Sequence, residues 1–142
     1  MILTDSNIFI YACDSTSPFH KKAKEFIADK TQIRGEICVT PQILLEFFGI
    51  ITQKVKYPLS LRLALKLTCE IKNNKNILCV FPDEKTFEVA LNLAEKYSIV
   101  GRDIFDLYIV ATMLDNNINT LCTHNTQDFK NFDEITTIDP LT

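Results

Sequence analysis

Residues 2–12 read ILTDSNIFIYA, and this stretch shows the local pattern that recurs along the whole chain. Its first residues form a short apolar run, which predicts a buried strand, and the polar triplet at residues 5–7 predicts the turn that ends it. The apolar residues after the turn are predicted to begin a short helix. A strand that leads through a polar turn into a helix is the repeating unit of α/β domains.

Strands and helices alternate in this way to the end of the chain. Further strands are predicted at 36–40, 77–81, 119–123 and 135–138, and helices at about 18–30, 41–54, 58–72, 83–97 and 103–115, with a turn or short helix at 125–132. This alternation calls for a parallel sheet with helices on both faces. Because no repeat, linker or low-complexity segment interrupts it, we predict one domain over residues 1–142. The predicted fold is a three-layer α/β/α sandwich with a central, mostly parallel five-stranded sheet.

Composition excludes several classes of protein. The chain has 142 residues, of which 46% are hydrophobic and 23% charged, and its formal net charge is −3. These values fit a globular domain and give no overall attraction for a polyanion. No apolar run is long enough to cross a bilayer and no signal peptide is present, so we predict a cytoplasmic protein without membrane contact.

The cysteines are scattered singly and form no paired motif. An odd number without pairing motifs predicts reduced thiols that serve as small core residues. With only two histidines in the chain, this pattern also argues against a structural zinc site. The five cysteines are Cys13, Cys38, Cys69, Cys79 and Cys122.

Acidic residues stand where sites of parallel sheets are usually found. Asp5 and Asp128 follow predicted strands, and the carboxyl ends of strands border the binding crevice in such folds. Asp103 and Asp106 lie one turn apart at the start of a helix, and Glu46 lies on a narrow polar stripe of an otherwise apolar helix. Taken singly, each acid has an ordinary structural explanation as a helix cap, a partner of the helix dipole or a solvent-facing residue.

The order of these acids and the residues around them resemble the PIN-domain family, in particular the VapC-like toxins of bacterial toxin–antitoxin modules. The matching segments are LTDSNIFIYA at 3–12, Glu46 in its apolar helix, FDLYIVAT at 105–112 and THNTQDF at 123–129. The resemblance implies that Asp5, Glu46, Asp106 and Asp128 form an acidic catalytic site. It also implies supporting roles for Ser6, Asn7, Thr123 and Asn125, to which we add Asp103 as an optional candidate. Asn125 stands where some relatives carry an acid, which leaves Asp128 as the main fourth carboxylate.

Crowded carboxylates repel one another unless a cation or protons offset their charge. Oxygen ligands with few histidines favour Mg²⁺ or Mn²⁺ over zinc. This chemistry predicts hydrolysis of a phosphodiester by a metal-activated water, and the resemblance implies that the phosphodiester belongs to RNA. Asp5 and Asp106 are the predicted direct metal ligands. Asp128 is a further candidate metal ligand. Glu46 and Asp128 are predicted either to complete the coordination shell of the metal or to orient the attacking water.

Binding partners are predicted from the family resemblance and from the apolar face of one helix. The resemblance implies an RNA substrate and a cognate antitoxin that covers the site. The helix at 41–54 has an unusually wide apolar face that contains Phe47 and Phe48, which predicts a partner or homodimer surface.

Three other functions are weighed against this hypothesis. A phosphatase of the haloacid dehalogenase kind requires a second Asp at position 7, where this chain has Asn7. A phospho-acceptor receiver domain requires an Asp after the third strand, where Asp83 has the pattern of a helix cap. A non-catalytic PIN-like binding module would tolerate single replacement of each of the four acids.

Overall fold

A computed structural model describes residues 1–142, and its centre is a sheet of five three-residue strands. The strands are β1 (Ile2–Thr4), β2 (Ile37–Val39), β3 (Ile77–Cys79), β4 (Thr120–Cys122) and β5 (Thr136–Ile138). Their spatial order is β3-β2-β1-β4-β5, and every neighbouring pair is parallel. All five predicted strands are confirmed, each shorter than its apolar run.

Seven helices flank the sheet, and most begin where the sequence predicts. They are α1 (Ser6–Cys13), α2 (His20–Lys30), α3 (Pro41–Gln53), α4 (Leu61–Asn73), α5 (Glu84–Tyr97), α6 (Asp103–Asp115) and α7 (Thr126–Phe129). Side-chain caps fix two of the starts: the Thr40 hydroxyl accepts from the Ile43 amide at 3.1 Å, and Asp83 and Thr86 form a reciprocal capping box.

Two helices begin later than predicted. Proline suits a first helical turn, so the sequence predicts helices that start at Pro18 and Pro58. The structure instead begins α2 at His20 and α4 at Leu61. In α4 the cap is Ser60, whose hydroxyl accepts from the Leu63 amide at 3.3 Å. In both cases the proline lies in the segment just before the helix.

Alternating side chains of the strands divide the core into two layers. Leu3 and Cys38 point into a cluster with α5 and α6, whereas Ile37 and Val39 point into a cluster with α1, α3 and α4. Because successive strand residues face opposite sides of a sheet, this division places helices on both faces. The predicted three-layer α/β/α sandwich is confirmed. None of its helices has the length and apolar character that a membrane span requires.

The apolar face of α3 faces inward more fully than predicted. Phe47 is completely buried, and its ring meets that of Phe9 edge to face at 6.4 Å between centroids. Phe48 is partly buried against the same cluster. The prediction of a partner surface at Phe47 is therefore wrong, because this ring is part of the core. The exposed large apolar residue on α3 is Leu45, with 70% of its surface accessible.

The cysteines divide between core and surface. Cys38 and Cys122 are buried, as predicted for small core residues, and Cys79 is half-buried. Cys13 and Cys69 are exposed, so the core assignment is wrong for these two. All five thiols are free, which agrees with the prediction of reduced cysteines.

Candidate acidic site at the carboxyl edge of the sheet

The central pair of strands brings two polar loops together. β1 and β4 are neighbours, with Thr4 in register with Cys122, so the residues that follow them leave the same edge of the sheet side by side. The Asp5 amide continues this pairing and donates to the Cys122 carbonyl at 2.9 Å. As a result, Asp5 and Thr123 lie against each other although they are far apart in the chain.

Asp5 is buried, and both oxygens of its carboxylate accept hydrogen bonds. Its Oδ1 accepts from the Ser6 amide at 2.7 Å, and its Oδ2 accepts from the Thr123 hydroxyl at 2.7 Å and from Asn7 Nδ2 at 3.0 Å. Only 7% of the residue is exposed. Burial raises the pKa of Asp5, the hydrogen bonds from Thr123 and Ser6 oppose that rise, and the negative charge of Asp128 adds to it.

Asn7 and Thr123 complete a small buried network around this carboxylate. Asn7 Nδ2 also donates to the Thr123 hydroxyl at 3.0 Å, and that hydroxyl accepts in addition from the Asn125 amide at 3.1 Å. Three of the predicted supporting residues thus contact Asp5 directly: Ser6, Asn7 and Thr123. Asn125 joins only through its main-chain amide, and its side chain is exposed.

Asp106 is the point where the acids converge. It lies in the first turn of α6 and is half-buried. Burial, followed by the negative charges of its neighbours, raises the pKa of Asp106 to about 6. Those neighbours are Asp128, Asp5, Glu46 and Asp103. All the predicted acids are therefore near enough to act on one carboxylate.

Glu46 and Asp128 lie at the exposed rim of the site. Desolvation by the surrounding protein and the charge of Asp5 raise the pKa of Glu46, against a hydrogen bond from the Ser6 hydroxyl and the charge of Lys54, even though the side chain reaches solvent. Asp128 belongs to α7, which the buried ring of Phe129 anchors in the core.

A hydrogen bond that the sequence did not predict joins the two helices that carry acids. Gln42 Nε2 on α3 donates to the Phe105 carbonyl on α6 at 2.9 Å. Gln42 precedes Glu46 by one helical turn, and Phe105 directly precedes Asp106. The polar stripe that contains Gln42 and Glu46 is visible in the sequence, but the partner of Gln42 depends on how α6 packs.

The donor set fits a hydrated hard cation. No three Asp, Glu, His or Cys side chains are close enough together to hold a metal ion directly. The four predicted acids also form no ion pair with a lysine or arginine. Magnesium keeps several of its waters and binds through one or two carboxylates, so it does not require a closed protein cage. A cation of this kind would offset the repulsion that raises the pKa of Asp106.

Comparisons with known proteins agree on one fold. The family model described as PIN domain matches residues 2–135. VapC20 of Mycobacterium tuberculosis, a toxin that cleaves the sarcin–ricin loop, is 15% identical, with a TM-score of 0.70 over 95% of this chain and 98% of that chain. VapBC2 of Rickettsia felis, bound to a DNA fragment from its promoter, is 17% identical, with a TM-score of 0.69 over 98% of each chain.

A third solved structure is DNA-bound VapBC of Salmonella typhimurium. It is 17% identical, with a TM-score of 0.68 over 98% of this chain and 97% of that chain. No curated protein matches the chain in sequence. At these identities, the solved structures establish a shared fold.

Proposed function

This chain belongs to the PIN domain family, and on that premise we propose that it is a metal-dependent endoribonuclease, the toxin of a toxin–antitoxin pair. The observation that carries the proposal is the convergence of four acids on Asp106, whose pKa is raised to about 6. Carboxylates crowded in this way without a basic partner are suited to a divalent cation. A cytoplasmic location and a single domain over residues 1–142 are part of the same proposal.

Each acid is given a role that its position supports. Asp5 and Asp106 would hold the cation, with Asp128 linked to it through a bound water. Glu46 lies at the exposed rim, where it would orient the attacking water. Bound Mg²⁺ or Mn²⁺ would supply an activated water and offset charge on the scissile phosphate.

The residues around Asp5 favour the ionised form of its carboxylate, against the effect of burial, and fix it in place. The Thr123 hydroxyl and Asn7 Nδ2 both donate to Oδ2, and the Ser6 amide donates to Oδ1. Such donors stabilise the charged form, which a metal ligand requires. Asp5 can therefore offer its remaining lone pairs without turning in the site.

The same contacts disfavour a phosphatase of the haloacid dehalogenase kind. That chemistry requires Asp5 as a free nucleophile and an acid two residues later. Here both oxygens of Asp5 accept hydrogen bonds, and Asn7 donates one of them. A residue that donates to the carboxylate through its amide group cannot protonate a leaving group.

The proposed partners are RNA, a cognate antitoxin and a second copy of the chain. The acidic crevice and the net charge of −3 require a metal ion for RNA to approach. Solved structures of the same fold include VapBC toxin–antitoxin complexes, among them DNA-bound ones. Exposed Leu45 and Phe105 lie on α3 and α6, the two helices that Gln42 joins beside the acids, and we propose this surface for the second copy.

Cleavage of RNA with and without metal tests the proposed activity. We expect the wild-type protein to cut RNA with Mg²⁺ or Mn²⁺ and to stop when a chelator is added. Asp106→Asn and Asp5→Asn should each lower kcat by about 100-fold, which corresponds to roughly 3 kcal/mol of transition-state stabilisation. Asp133→Asn, at an exposed acid outside the site, is the matched control and should cut normally. Cleavage that persists in chelator would reject the mechanism.

A further inference from the structure

The residues that follow the PIN family match are hydrogen-bonded to the loop after β4, at the carboxyl edge of the sheet. The family match ends at residue 135, and β5 and the residues after it follow. Leu141 is 1% exposed and packs with Ile8, Ala23 and Cys122, beneath the start of α1. Lys22 Nζ also donates to the Leu141 carbonyl at 2.9 Å.

Asp139 links this segment to the loop after β4. Its Oδ1 accepts from the Leu141 amide at 2.9 Å, and its Oδ2 accepts from the Thr142 hydroxyl at 3.1 Å. The same Oδ2 lies 3.0 Å from His124 Nδ1. Because a carboxylate can only accept, this contact places a proton on Nδ1 of the imidazole.

Packing fixes the His124 ring on its other sides. The ring lies 4.5 Å from that of Phe19 and 5.7 Å from that of Tyr11, measured between centroids. Its side chain is only 23% exposed. The imidazole is thus held by one hydrogen bond and two aromatic contacts.

The main chain of His124 reaches the acidic site. Its amide donates to Asn7 Oδ1 at 3.2 Å, while Asn7 Nδ2 donates to Asp5 Oδ2 and to the Thr123 hydroxyl, both at 3.0 Å. The bond to Oδ1 acts together with the two Nδ2 bonds to fix which end of the Asn7 amide faces Asp5. Without it, the Asn7 amide would be held only through its Nδ2 donors, and its position against Asp5 would be less tightly fixed.

We propose that His124 and Asp139 are positioning residues that hold Asn7 in the orientation the Asp5 carboxylate requires. Asp139 fixes His124, the amide of His124 fixes Asn7, and Asn7 fixes Asp5. The proposal rests on the proposed nuclease function, because positioning matters to activity only if Asp5 takes part in the reaction. Partners that orient a metal ligand are typically worth about 10- to 100-fold in affinity or activity.

Three variants separate the hydrogen bond from simple packing. Asp139→Ala and His124→Leu remove it, and each should lower kcat about 10- to 100-fold with KM changed less than about threefold. Each should also weaken Mn²⁺ binding by about 10-fold or more, measured by calorimetry without RNA. His124→Asn keeps a donor close to the Nδ1 position and should retain most of the activity.

Two controls and one spectroscopic signal complete the test. Asp133→Asn controls for loss of charge, and Ile118→Val, at a buried site in the α5–α6 layer, controls for loss of stability. The side-chain amide signals of Asn7 in a ¹H–¹⁵N spectrum, assigned by their loss in Asn7→Ser, should move toward free-amide positions in Asp139→Ala and His124→Leu but not in the controls.

The outcomes distinguish this inference from the proposed function. If the wild-type protein neither binds Mn²⁺ nor cleaves RNA, both are overturned. If it does both, and folded Asp139→Ala and His124→Leu match it in kcat, Mn²⁺ affinity and Asn7 signals, the positioning role alone is overturned. Loss of activity in His124→Asn as large as in His124→Leu would also overturn it, because ring packing would then be the cause.

Discussion

At the scale of single residues, Asp106 shows a conflict between stability and activity. An acid whose pKa is raised in the folded state destabilises the fold at every pH at which it is ionised there. With a pKa of about 6 against an ordinary value of 3.8, Asp106 has this effect above pH 6. As the pH falls toward 4, protonation of the folded form removes the penalty. The charge is therefore retained at a cost in stability, as expected of a residue kept for binding or catalysis.

Asp106→Asn should therefore stabilise the protein at neutral pH while it lowers kcat about 100-fold. We expect a gain of about 1 kcal/mol at pH 7.5, after allowance for solvent screening of a half-exposed group, and about 4 °C in Tm. The difference from wild type should disappear near pH 4, where the native carboxyl is protonated. Thermal unfolding at both pH values measures it, with Asp133→Asn as the control. An Asp106→Asn protein that is less stable than wild type at pH 7.5 would contradict this explanation.

Replacement by valine should have opposite effects on stability at two buried threonines. Thr4 is fully buried and its hydroxyl has no hydrogen-bond partner. Thr86 is equally buried, but its hydroxyl accepts from the Asp83 amide at 2.9 Å and donates to Asp115 at 2.7 Å. Thr4→Val should therefore raise the free energy of unfolding by about 1 kcal/mol, whereas Thr86→Val should lower it by about 1–3 kcal/mol. Chemical denaturation of both variants measures the effects, and a loss of stability in Thr4→Val would contradict the prediction.

At the scale of helices and strands, local signals predicted the elements well. Apolar runs located all five strands, and the predicted helices at 41–54 and 83–97 begin beside the caps Thr40 and Asp83, because these features depend on neighbours in the chain. The start of α4 was placed wrongly since Pro58 and Ser60 both suit a helix start, and only the hydroxyl bond of Ser60 to the Leu63 amide decides between them.

The side chains that face inward were harder to predict. The wide apolar face of α3 fits either core or partner surface by spacing alone, and packing against α1 settles that Phe47 is core. The nearness of Asp5 and Thr123 follows from parallel strands and was predictable. The link from Asp139 through His124 to Asn7 was not, because it joins residues that no periodic pattern relates.

Replacement by alanine should have opposite effects on stability at two glycines, because the space and the backbone conformation differ between them. Gly49 lies inside α3, and a Cβ added there would have no atom within 4 Å, so Gly49→Ala should raise the free energy of unfolding by about 0.5–1 kcal/mol through helix propensity. Gly35 precedes β2 with a φ of +79°, and an added Cβ would lie 2.8 Å from Leu78 Cδ1. Gly35→Ala should therefore be destabilising by about 1–3 kcal/mol. Urea unfolding distinguishes the two, and equal effects of the same sign would contradict the assignment.

At the scale of the whole molecule, the acids and the exposed apolar residues occupy neighbouring surfaces. Leu45 is 70% exposed and Phe105 is 62% exposed, each next in sequence to a site acid, Glu46 or Asp106. Large apolar side chains in this position are typical of a protein interface. A partner that covers them would also shield the acidic crevice from solvent, which strengthens electrostatic interactions within it.

The proposed homodimer makes a prediction about Leu45→Glu. In a twofold dimer the same surface meets itself, so one substitution introduces two charges into a single interface. Burial of these charges should weaken association by at least about 30-fold, equivalent to roughly 2 kcal/mol, and give a monomer at micromolar concentration. Light scattering coupled to size exclusion measures the mass. Leu63→Glu, at a 41%-exposed leucine of α4, is the matched control and should leave the dimer intact. A wild-type protein that is monomeric at high concentration, or a Leu45→Glu dimer as stable as wild type, would contradict the proposed homodimer at this surface.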